Sequence, residues 1–158
     1  MKIDLDDIYR YDENFVLRVP PLLSAAIYWS IHHVFLLILA AASNSGEVFG
    51  LALDYGGSVL FLLSDLPGGL VLFARLNRTP DAGRTIRWIW HHGLLLLIVG
   101  LGAGTAVTLK LYYRDVIGFE NPGFFMVAAN CCVVLYLLCS KQARNVFADF
   151  PKQQQEQN

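Results

Sequence analysis

The sequence predicts an all-α integral membrane protein, a four-helix transmembrane bundle with both termini in the cytoplasm. Three observations predict it. Of 158 residues, 55% are hydrophobic and only 16% charged, with a mean hydropathy of +0.45, whereas soluble domains carry about 25% charged residues. The apolar residues are gathered into blocks that approach the roughly 20 residues a helix needs to cross a bilayer. Lys and Arg are also unevenly placed: three before residue 20, four in the loop Arg75–Arg87, three after residue 140, and only Lys110 and Arg114 elsewhere. Basic short loops stay on the cytoplasmic side, so ten against two orients the chain.

Residues 1–19 form a cytoplasmic or interfacial segment in which Asp4, Asp6, Asp7, Asp12 and Glu13 alternate with Ile3, Leu5, Ile8, Tyr9, Tyr11 and Phe15. Two readings stay open for it, an amphipathic stretch on the membrane surface and a partly ordered tail. It lacks the apolar core of a signal peptide, so it is expected to be retained. Pro20-Pro21 opens the membrane domain, 20–140, because first-turn N–H groups lack a helical partner in any case. Span one is expected over 21–42, closed by Ser43-Asn44-Ser45-Gly46. Glu47–Gly57 reads as an outer loop with an interfacial piece, Val48–Leu53.

Span two is expected over 58–76 with an interruption at Asp65-Leu66-Pro67-Gly68-Gly69. A competing register, Glu47–Leu63, is less favoured because it does not place Arg75 and Arg78 at the inner boundary. After the cationic loop, span three covers 88–109 and span four covers 124–140, entered through Asn121-Pro122-Gly123. Residues 141–158 read as a cytoplasmic, partly disordered tail ending in a polar run.

All four histidines fall in two copies of Trp-x-x-His-His, Trp29–His33 and Trp88–His92. Facing imidazoles can ligate haem or a metal. Depth argues against one shared site: at about 1.5 Å per residue, His32 and His91 are offset by roughly 12 Å along the membrane normal. No cofactor and no metal are therefore expected. Arg75, Arg78, Arg84 and Arg87 with Trp88, Trp90, His91 and His92 are expected to form a basic and aromatic belt at the inner headgroups, where anionic lipid or an acidic partner would bind.

Asp65 is the informative charge, because an intramembrane carboxylate faces the bundle interior and marks a functional hypothesis. His32, His33 and Asn130 lie at comparable depth, which predicts an intramembrane polar cluster. A relay for protons or ions is one reading. The other is a structural clamp, or an Asp65 cap for a half-helix starting near Pro67. Gly93, Gly100 and Gly104 on span three are small residues that let helices approach closely. Cys131, Cys132 and Cys139 sit in one apolar block and read as packing residues. No nucleophile elbow, phosphate loop or zinc framework is present, and the net charge of −1 with dispersed basic residues gives no nucleic-acid groove.

The segments Tyr11-Asp12 with Leu17-Arg18-Val19-Pro20-Pro21, Asp65-Leu66-Pro67-Gly68-Gly69, the arginine-rich loop and Trp88 to His92-Gly93-Leu94-Leu95 resemble small bacterial inner-membrane proteins of the YfeZ type. That resemblance implies four spans in a bacterial cytoplasmic membrane and carries over no catalytic residue. The expected function is a non-enzymatic accessory or scaffold component acting on membrane lipids, a membrane-protein partner or a second copy. A proton-coupled component using Asp65 with His32 or His33 is the alternative, and a haem-binding protein the third.

Overall fold

The computed structural model describes residues 17–42, 59–113 and 123–151. The expectations for the acidic N-terminal segment, the Glu47–Gly57 loop, Arg114 and the terminal polar run lie outside those residues. Among the described residues there are seven α-helices and no strand. They are α1 (Pro21–Trp29), α2 (His32–Ala42), α3 (Val59–Leu76), α4 (Arg84–His91), α5 (Gly93–Tyr113), α6 (Gly123–Cys139) and α7 (Lys141–Ala148).

Pro20 is extended, and its carbonyl accepts the first helical bond of α1 from Ser24 N–H at 2.9 Å. The helix was expected to run straight to Ala42, but it stops at Trp29 and resumes at His32 with a bend of 68°. No proline or glycine causes this. The Ser30 hydroxyl donates back to the Ile27 carbonyl at 2.7 Å, and Ile31 N–H tightens onto Tyr28 O at 3.3 Å. Such back-bonding by Ser competes with the regular helical ladder. The rest of the break is held by α3.

That helix corrects a second expectation. The interruption at 65–69 does not occur, and α3 is continuous through Pro67. Proline deprives the Leu63 carbonyl of its donor, yet membrane helices tolerate this where neighbours and local adjustment compensate. Gly68 takes a different part in the fold: a Cβ there would strike the Ser30 side chain and meet Ile31 Cγ2 at 3.0 Å. Gly68 therefore makes room for the break between α1 and α2, while Pro67 leaves its own helix unbroken.

The helix that leads into the third apolar block begins at Arg84, before residue 88, but the stretch apolar enough to span begins only at Gly93. These two helices, α4 and α5, are separated by His92 alone, whose carbonyl still accepts from Leu96 N–H at 2.9 Å. The most extensive helix contact is between α3 and α5. Gly100 permits it, since an added Cβ would come within 2.9 Å of the Ser64 carbonyl. Gly104 meets the Ser64 hydroxyl, whereas Gly102 faces open space.

The tail expectation is also corrected from Lys141 to Pro151. Ser140 caps α7 by accepting from Ala143 N–H at 3.1 Å, as a good N-cap residue does. The chain turns 70° from α6 into α7, and Ala143, Val146, Phe147, Phe150 and Pro151 are buried. Gly93 receives the Phe147 ring. These side chains join Leu23, Ile27, Val71, Trp90, Leu97 and Leu137 in one core at the α4–α7 end.

Two helices, Val59–Leu76 and Gly93–Leu111, are each long and apolar enough to cross a membrane, and the bent pairs α1–α2 and α6–α7 pass only as pairs. Apolar side chains such as Phe35, Leu39, Leu66, Phe73, Leu95, Phe125 and Leu138 point outward. The three cysteines also face outward, contrary to their expected place in the packing. Two to four helices fit for a bilayer make this a membrane protein by composition and length.

Candidate functional site

The break between α1 and α2 frees N–H groups inside an apolar layer, and an unpaired buried N–H there is costly. Asp65 on α3 answers this. Its Oδ2 accepts from Val34 N–H at 3.1 Å, and its Oδ1 pairs with His33 Nδ1 at 2.9 Å. Asp65 and His33 are both buried. A carboxylate at a helix N-terminus is also stabilised by the positive end of the helix dipole. No half-helix starts near Pro67 for Asp65 to cap; the helix it caps is α2.

His32 takes a separate position. Its Nδ1 lies 2.7 Å from the Trp29 carbonyl, while its Nε2 is buried without a hydrogen-bond partner. Four rings follow in series: Trp29 stacks on His32 with centroids 4.8 Å apart, His32 tilts against His33 at 3.8 Å, and His33 stacks on Phe61 at 4.6 Å. The Trp29 indole N–H then donates to Asn130 Oδ1 at 2.8 Å, and Asn130 Nδ2 reaches Thr105 Oγ1 at 3.2 Å. Asn130 therefore joins His32, His33 and Asp65 through the Trp29 ring. One ligand atom from each of His32, His33 and Asp65 lies within 4.8 Å of the others.

The second histidine pair has different surroundings. His91 Nδ1 pairs with Phe147 O at 3.0 Å, and His92 Nδ1 with Trp88 O at 2.9 Å beneath a Trp88–His92 stack. The expected belt divides. Trp88, Arg84, His91 and His92 are exposed, but Trp90 is fully buried and donates to both Val146 O and Asp149 O at 3.0 Å. Arg78 is buried too: its Nη1 and Nη2 donate to Leu17 O and Asp149 O at 3.1 and 2.9 Å, and its guanidinium lies 4.7 Å from the Trp90 ring centroid. Arg87 turns back onto Pro80 O and Ala82 O. Arg75 lies over the Tyr28 ring at 5.6 Å. The corrected reading is a packed joint with an exposed rim, because the loop's carbonyls and the 149–151 segment offer acceptors that a guanidinium fork fits.

Sequence reasoning named Trp29 and Gly68 but missed their parts in bridging and close packing, and it missed Phe61, Thr105 and Asp149 altogether. Only the Trp-x-x-His spacing carried a signal, since it places the indole near the imidazole on one helical turn. A cleft of about 820 Å³ lies away from this cluster, between residues 17–22 and Gln142, Asn145 and Val146. The chemistry is concentrated at the helix break.

Comparison with protein families finds one described as "Protein of unknown function (DUF2919)", matched over residues 7–149. The chain belongs to this family. The match spans every described helix of this DUF2919 protein, including the break and α7. No curated protein and no solved structure gives a significant match to it.

Proposed function

We propose that this protein is a four-span component of a bacterial cytoplasmic membrane, with both termini inside, that works as a non-enzymatic accessory or scaffold through protein and lipid contacts. One observation carries the reading: Asp65 is engaged at both oxygens, by His33 and Val34. Its carboxylate holds a broken helix in shape. The outward-facing apolar side chains of α2, α3, α5 and α6 supply the surface such a component presents to lipid or to another membrane protein. The lysine and arginine distribution supports the orientation, and the YfeZ-type resemblance supports the bacterial setting.

A proton-coupled component is the second reading, because the His33–Asp65 contact is a short, buried acid–base pair. Native-mass measurement in mild detergent and in nanodiscs tests the first reading. A stoichiometric heteromeric or homomeric assembly is expected, and a lone monomer in both media would overturn it. Proton flux through proteoliposomes that vanishes in Asp65→Asn, with assembly intact, would favour the second.

A further inference from the structure

We propose that His32, His33 and Asp65 hold a divalent transition-metal ion, of which zinc is the representative, at the break between α1 and α2. A backbone carbonyl only accepts, so the 2.7 Å contact with Trp29 O fixes the hydrogen of His32 on Nδ1. Its Nε2 then carries a lone pair, and that atom is buried and without a partner. An imidazole that donates one ring N–H to a backbone carbonyl while its other nitrogen waits for a cation is the arrangement in which histidine ligates metals.

The other two candidate ligands, His33 and Asp65, stand beside the His32 ring. One ring nitrogen from each histidine and one Asp65 oxygen lie within 4.8 Å of one another. Metal–ligand bonds of about 2.0–2.2 Å require donors about 3.4 Å apart, so closure asks for side-chain movements on the order of 1 Å. Two imidazoles and one carboxylate suit a borderline divalent ion better than magnesium or calcium, which prefer all-oxygen sites. The surroundings fix the donors in place. Trp29 and Phe61 wall the two imidazoles from either side, and Val34 N–H holds Asp65 Oδ2. The negative carboxylate would offset the positive end of α2, which alone disfavours a cation. The sequence argument against a shared site for both histidine pairs does not touch this one, which uses a single pair and an aspartate. The inference does not depend on the accessory reading.

The full chain, purified in detergent and stripped with EDTA, is titrated with Zn²⁺ against a chromogenic chelator. One equivalent per chain is expected. His32→Phe keeps a ring on Trp29 but removes the lone pair, and should weaken binding by more than the roughly 10–100-fold that loss of a ligand's outer-shell partner costs, whereas His91→Phe should leave it unchanged. Absence of stoichiometric zinc, or equal affinity in His32→Phe, would overturn the proposal. Should that variant fail to fold, zinc-edge X-ray absorption of the loaded wild-type chain decides. Two imidazoles and a light oxygen ligand are expected, and a shell of oxygen alone or of sulfur overturns the assignment.

Discussion

Asp65 on α3 closes the N-terminus of α2, its Oδ2 accepting from Val34 N–H at 3.1 Å across 31 positions of sequence. A cap of this kind is supplied from another helix instead of from the residue preceding the first turn. It makes the shape of the first apolar block depend on the second.

Asp65→Ala leaves Val34 N–H and His33 Nδ1 without an acceptor. At about 1–3 kcal/mol for each buried group left unpaired, the variant should lose several kcal/mol and accumulate poorly. Asp65→Asn keeps one acceptor oxygen and should lose less. Unfolding in mixed micelles followed by circular dichroism checks the order, which fails if both variants behave alike.

Trp29 and Asn130 are coupled through one 2.8 Å hydrogen bond. Trp29→Phe and Asn130→Leu should each destabilise the fold by about 1 kcal/mol. The double variant should cost clearly less than the sum, because the two residues share an interaction. A double-mutant cycle in the same micelles measures the coupling, and strict additivity would sink it.

Two glycines on α5 make a matched pair. Gly100→Ala drives a methyl to 2.9 Å from the Ser64 carbonyl, and the α3–α5 contact should loosen at a cost of about 1–3 kcal/mol. Gly102→Ala meets nothing and should be neutral or gain up to about 1 kcal/mol from helix propensity. Thermal aggregation midpoints compare them directly.

Arg78→Lys keeps the charge but loses the fork that reaches Leu17 O and Asp149 O together. Lysine is a point donor and does not reproduce that geometry. The variant should be less stable by about 1–2 kcal/mol. Arg84→Lys, at an exposed position, should stay within about 0.5 kcal/mol of the parent. Equal behaviour of the two would show that the loop acts through charge alone.

The helical, membrane-fit class was legible because composition and apolar block length report directly on what a bilayer accepts. The importance of Asp65 was legible for the same reason. Which of the two histidines it meets was not. Distance along a span gave His32 and His33 similar depth, but their facing depends on the break at Ser30, and that break carries no proline or glycine signal. Pro67-Gly68, which does carry one, leaves its own helix intact, and Gly68 relieves the neighbour at Ser30. Arg78 and Trp90 read as surface residues because charge and amphipathic rings usually mark interfaces. They became core residues through acceptors at Leu17, Val146 and Asp149, far away in sequence.

Leu17 and Asp149 meet directly as well, through Leu17 N–H and Asp149 Oδ2 at 2.8 Å over 132 positions. This ties two distant stretches of the chain to one joint. Arg78 and Trp90 take their acceptors from Leu17, Val146 and Asp149, so a chain cut before residue 146 would keep the early helices and leave both side chains short of the groups that hold them.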